Sequence, residues 1–296
     1  MKNINYLLFL LVISSFSVFA SPNKEYSEKF EIDDLEDVRP VELKLYVFNC
    51  GEILVREKSL FNPALPEGLQ MTLSDTCYLI KHPKGTLMWD TGLSDGLSGL
   101  PNGIDVAEGV FNLSVTKTLS SQLEEINVDP LSIDYIAFSH LHFDHTANAR
   151  YFQNATWLIQ KPEYKAAFSP EAVSLFFNPD DYSSLKDNET IQLDGHYDVF
   201  NDGSVVILST PGHTPGHQNL FLNLPETGPI ILSGDLYHFE ENRAEYVIPV
   251  FNTSKRETVH SFVLIDNVID GINASLWIQH DKQFMESLRL SPEFYK

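Results

Sequence analysis

Six residues, His140-Leu141-His142-Phe143-Asp144-His145, constrain this chain more than any other segment. They hold three imidazoles and a carboxylate, and they follow the apolar run Ile133 to Phe138 and Ser139. The run reads as a buried strand, so the motif reads as the loop at its end. Imidazole nitrogen and carboxylate oxygen are the ligands that borderline divalent ions such as zinc prefer. His140 and His142, at i and i+2, point the same way if the extended geometry continues. Asp144 and His145 lie past a bend and face a second position nearby. One motif can therefore feed two adjacent ions, which suits water activation better than a closed structural site does. The alternative is a His-rich loop that is simply solvated.

Three more apolar runs each end in a potential ligand. Val205 to Leu208 leads to His213, in Thr210-Pro211-Gly212-His213-Thr214-Pro215-Gly216-His217. Ile230 to Leu232 leads through Ser233-Gly234 to Asp235, and Leu276-Trp277-Ile278-Gln279 leads to His280. Taken singly, each is more often a hydrogen-bonded structural residue. Taken with the first motif, four strands delivering ligands at their ends point to a dinuclear site.

On these residues the chain resembles the metallo-β-lactamase superfamily and, within it, the N-acyl-homoserine lactone lactonases, from about Leu43 to His280. The resemblance implies that His140, His142 and His213 hold one metal and that Asp144, His145 and His280 hold the second. Asp235 would bridge them, and Asp144 would also pass a proton to the leaving oxygen. Asp90, in Met88-Trp89-Asp90-Thr91-Gly92, matches an early Asp that braces the ligand loop. The implied cofactor is a pair of divalent ions, with zinc expected. One position departs from the pattern. The best-known lactonases carry a Tyr three residues after the bridging Asp, where it assists the substrate carbonyl; here that residue is His238, with Tyr237 adjacent. A histidine can donate a hydrogen bond or, when charged, stabilise an oxyanion. His217 reads as structural, and His82, His196 and His260 stand apart from the motifs.

The activity implied is opening of the lactone ring of an N-acyl-homoserine lactone. An esterase or organophosphate hydrolase with the same metals is the alternative. A glyoxalase II-like thioesterase is weaker, because its anionic glutathione thioester suits an acidic, exported chain poorly. The expected partner is thus a small lactone or ester. The formal net charge of -21 argues against nucleic acid, whose phosphates are met with Lys and Arg. A binding protein that uses the fold only as a scaffold would not need seven metal-ligand candidates.

Residues 1–20 read as a signal peptide. Lys2 supplies a positive start, Tyr6 to Ile13 is apolar but short for a membrane span, and Val18-Phe19-Ala20 offers a cleavage site. The expectation is a periplasmic or secreted protein with no stable membrane insertion once the leader is removed. Residues 21–40 carry Glu25, Glu28, Glu31, Asp33, Asp34, Glu36 and Asp37 and read as an acidic, mobile lead-in. Residues 41–296 form the hydrolase domain. The only cysteines, Cys50 and Cys77, either pair or stay as two buried thiols.

Strand-like segments span 44–48, 76–81, 85–89, 133–138, 156–159, 205–209, 217–222, 229–233 and 275–278. Helical patterns cover 115–126, 162–168 and 256–269. Two β-rich halves with flanking helices predict an α/β fold, an αββα sandwich with the metals at one edge. Two segments read as loops facing substrate: the glycine-rich 92–109, and 167–182 with Phe168, Phe176, Phe177 and Tyr182. Ordinary core packing is the competing reading for those rings.

Overall fold

Apolar residues alternate between the two faces of the strands, and that alternation sets the layers. On Val205–Ser209, Val205 and Ile207 face one core while Val206 and Leu208 face another. On Lys44–Val55, Leu45 and Val47 share that first core, and Tyr46 and Phe48 turn to a third. Strands buried on both faces need cover on both sides, so two sheets pack face to face with helices outside. The computed structural model describes residues 34–35, 38–39 and 41–296. The expected signal peptide and most of the acidic lead-in lie outside the described residues.

The larger sheet contains β1 (Lys44–Val55), β2 (Met71–His82), β3 (Gly85–Trp89), β4 (Ile104–Val106), β5 (Phe111–Ser114), β6 (Tyr135–Ala137), β7 (Thr156–Gln160) and β8 (Thr190–Leu193). Its order is β4-β5-β1-β2-β3-β6-β7-β8. The smaller contains β9 (Tyr197–Asp198), β10 (Val205–Ser209), β11 (Gln218–Leu224), β12 (Gly228–Leu232) and β13 (Ser275–Trp277), ordered β13-β12-β11-β10-β9. Between the sheets lie Val47, Tyr78, Trp89, Ile207, Leu220, Leu222, Ile230 and Leu232, each fully buried. Helices α1 (Leu119–Glu125) and α3 (Lys161–Ala167) cover the outside of the larger sheet, with the single turn α2 (Phe143–Thr146) between them in sequence. The long helix Lys255–Ile272 covers the smaller sheet through Phe262, Ile265 and Val268. Its Ser254 cap accepts the N–H of Glu257, and Asn273, left-handed at φ 52°, ends it.

The sandwich is the expected one, but four strands escape the sequence reading. β4, β5, β8 and β9 are two to four residues long, partly exposed and polar in part, so no apolar run marks them. β4 lies inside the segment read as the pliable loop 92–109. Cys50 sits at a bulge where the β1–β2 register shifts between Asn49 and Gly51, and it forms a disulfide with Cys77. Leu35, from the end of the lead-in, is buried against the helix-covered face of the smaller sheet, with Val38 packed beside it. Among the described residues no helix is long and apolar enough to cross a membrane.

Candidate metal centre

Strands β6, β10, β12 and β13 all end at one edge of the sandwich, and each delivers its polar residues within a few positions of its end. His140, His142, Asp144 and His145 come from the larger sheet; His213, Asp235 and His280 come from the smaller. All seven are nearly buried, and the structure places them in two adjoining groups able to hold metal ions: His140, His142, His213 and Asp235, then Asp144, His145 and His280. The two oxygens of Asp235 face different groups. Oδ2 lies 3.2 Å from His213 Nε2 and 3.7 Å from His140 Nε2; Oδ1 lies 2.9 Å from His280 Nε2 and 3.3 Å from His145 Nε2.

The donor set fits cations. His140 Nε2, His142 Nδ1 and His213 Nε2 approach one another to 2.8, 3.1 and 3.1 Å. Tetrahedral ligation at about 2.05 Å sets such nitrogens about 3.3 Å apart. The opposite ring nitrogens have oxygen partners: Leu175 O for His142 at 3.0 Å, Asn252 Oδ1 for His213 at 3.0 Å, Asp90 Oδ2 for His145 at 3.0 Å and Ser74 O for His280 at 2.6 Å. A ring that donates outward turns a lone pair inward, as metal-ligating histidines do. His145 Nε2 and Asp235 Oδ1 are buried and, although 3.3 Å apart, neither makes a well-aligned hydrogen bond among the described residues. Burial of that kind is costly unless something else satisfies the atoms.

Electrostatics divide the rings: His140 and His142 are held neutral, whereas His280 carries a proton that it must lose before it can ligate. Burial, with neighbouring rings adding to it, holds His140 and His142 well below the usual histidine range. Burial also disfavours charge on His280, but the Asp235 carboxylate outweighs it and raises that ring to about 9. Asp235 is itself kept ionised, because the surrounding imidazoles, His280 first, outweigh its burial.

The bracing residues are equally specific. Asp90, at φ 56° just past β3, accepts Ser139 N–H at 2.7 Å through Oδ1 and Gln279 Nε2–H at 2.9 Å through Oδ2, the oxygen that also meets His145. It thereby ties the β6 loop to the end of β13. His217 is buried and neutral, pushed down to about 3 chiefly by burial. Its Nδ1 bonds Thr210 O at 3.1 Å, and its Nε2 accepts the N–H of Asp235 at 3.0 Å, so it is a strut beneath Asp235. His238 Nε2 bonds Asp235 Oδ2 at 3.0 Å, and its ring lies between the edges of Phe61 and Phe251 and parallel to His280. Tyr237 points elsewhere: it is buried and stacks on Phe262 under the long helix.

An apolar cavity of about 340 Å³ opens onto the two groups. His142, Asp144, Asp235, His238 and His280 form its floor; Leu60, Phe61, Phe111, Phe143, Val250 and Phe251 form much of its wall. Of the rings expected near substrate, only Phe176 reaches this cavity, and it is 61% exposed. Phe177 and Tyr182 are buried in the core under the larger sheet, and Phe168 packs against it. The glycine-rich segment contributes Ala107 alone. The walls come mostly from β1, β5 and two aperiodic stretches, 56–70 and 247–252, which carry no motif.

Two sheets packed between helices, with two His/Asp groups at one edge bridged by a shared carboxylate, define a metallohydrolase. The chain belongs to the metallo-beta-lactamase superfamily, whose model matches residues 72–267. It is 30% identical over 266 residues to the N-acyl homoserine lactonase AttM of Rhizobium radiobacter, covering 86% of this chain and 99% of that one. The AiiA lactonase of Bacillus thuringiensis subsp. kurstaki is 29% identical over 261 residues, covering 85% and 98%. A solved N-acyl homoserine lactone hydrolase, with the product N-hexanoyl-L-homoserine at its catalytic metal center, superposes with a TM-score of 0.75 at 28% identity, covering 86% and 100%.

Proposed function

We propose that this protein hydrolyses the lactone ring of N-acyl homoserine lactones with two zinc ions. The observation that carries the reading is the junction of an apolar cavity with the two His/Asp groups. A substrate with a polar ring and a hydrocarbon tail fits both halves: ring on the floor, tail along Leu60, Phe61, Val250 and Phe251. The similarity to named lactonases over nearly their whole length supports it.

His140, His142, His213 and Asp235 would hold one ion, and Asp144, His145, His280 and Asp235 the other. Such ions act as Lewis acids and bring the pKa of bound water from 15.7 to about 7. The protein's own groups do the rest. The aromatic wall excludes bulk water and orients the acyl tail. Asp144, at the boundary between the clusters and the cavity, would take the proton lost by the attacking water and pass it to the departing ring oxygen. His238 fixes Asp235 Oδ2.

The test is a substrate panel on zinc-loaded protein together with elemental analysis. Acyl-homoserine lactones should exceed aryl esters, phosphotriesters and thioesters in kcat/KM, with about two ions per chain. Faster turnover of a phosphotriester or thioester, or one ion per chain, overturns the assignment.

We further read the chain as exported. The leader pattern supports this, and so does the Cys50–Cys77 disulfide, which persists in oxidising compartments. N-terminal sequencing of the exported protein should return Ser21; an intact Met1 terminus would refute the cleavage.

A further inference from the structure

One buried acid belongs neither to the seven residues nor to the chemistry described. Glu163, in the first turn of α3, is 1% exposed. Its Oε1 accepts the N–H of Leu141, the residue between His140 and His142, at 3.1 Å. Its Oε2 accepts the N–H of Gly216, three residues past His213, at 2.7 Å. The approach is so close that a Cβ on Gly216 would meet Glu163 Cβ at 2.6 Å and Glu163 N at 2.7 Å. One carboxylate therefore spans the two loops that carry His140, His142 and His213.

We propose that Glu163 is a positioning residue, a clasp that fixes His213 against His140 and His142 before a metal ion arrives. The inference rests on reading those histidines as a metal site. Because His142 Nε2 and His213 Nδ1 donate outward to Leu175 O and Asn252 Oδ1, their inward nitrogens present lone pairs 3.1 Å apart, which repel, so the loops would spread unless something held them. Both oxygens of a carboxylate accept, and each can take one loop's amide. A glutamine offers one acceptor only, and its NH₂ would face an N–H.

The test uses the full chain and its Glu163→Gln variant, with zinc titrated against a chromophoric chelator and cobalt(II) absorption read in parallel. In the variant, one ion should bind 10- to 100-fold more weakly while the second keeps wild-type affinity. The cobalt spectrum should change for the weakened site alone, and chelated variant and wild type should melt within a few degrees of each other. Equal weakening of both ions, or of neither, overturns the clasp. Fewer than two ions on the wild type would instead sink the metal-site reading beneath it. A measurement on the wild type alone covers a variant that does not fold: hydrogen exchange after chelation. Leu141 and Gly216 amides should stay protected without metal; exchange at the rate of an unstructured loop overturns the proposal.

Discussion

At the scale of single residues, the position of one proton decides what His238 can do. A neutral imidazole that gives its Nε2 proton to Asp235 has only an acceptor left on Nδ1, so it cannot also donate to a substrate carbonyl. Charging the ring would free a second donor, but burial, only partly offset by Asp235, lowers its pKa. On this hydrogen bond we propose that His238 holds the shared carboxylate, with action on the substrate carbonyl in place of a phenol as the competing role. His238→Ala should then weaken zinc binding about ten-fold, with turnover largely restored by excess zinc. A variant that is fully loaded yet slow would return the ring to the carbonyl. The seven acids and imidazoles gathered at the centre were legible in the sequence because they follow the ends of four apolar runs. Ser139, Asn252, Gln279 and Ser74, which aim or brace them, were not. Their side chains or carbonyls act across separations as long as the 206 residues between His280 and Ser74, and nothing local marks such a bond. Asp90 was legible only through family resemblance.

At the scale of elements, long buried strands announce themselves and short edges do not. β3 and β10 match their apolar runs residue for residue, whereas the β4–β5 hairpin is partly polar and exposed. The cavity walls escaped for a related reason. The stretches 56–70 and 247–252 have no periodicity, and what places them is contact between them, as in Val250 N–H donating to Leu60 O at 3.0 Å. The disulfide is the other device at this scale. It pins the β1 bulge to β2 across 27 residues, a loop closure worth about 3.5 kcal/mol on chain-entropy grounds. Gly92, at φ 66°, passes so close that a Cβ there would meet Cys50 Cβ at 2.2 Å. Reduction, or the Cys50→Ser/Cys77→Ser double variant, should lower the melting temperature by about 5–15 °C. An unchanged melt would show that the ladder alone fixes the bulge.

At the scale of the whole molecule, the larger sheet supplies four of the seven central residues and the smaller sheet three, and each group draws on both. Every ion held there would join the two layers, as well as serving the chemistry between them. Ligation by the native state alone adds about 4 kcal/mol per site at a thousand-fold excess over Kd. Melting in chelator should therefore fall well below melting in zinc, with a midpoint that tracks free metal concentration. A midpoint indifferent to metal would mean that the apolar interior holds the layers by itself. For an exported protein, as proposed above, the shared edge would have a further consequence. Loss of the ions would then take away activity and global stability together, so that the chain unfolds and meets proteases more often, even where Glu163 keeps the loops of the native state in place. On that reading its working lifetime would follow the local supply of metal, and scarcity would clear the protein as well as silence it.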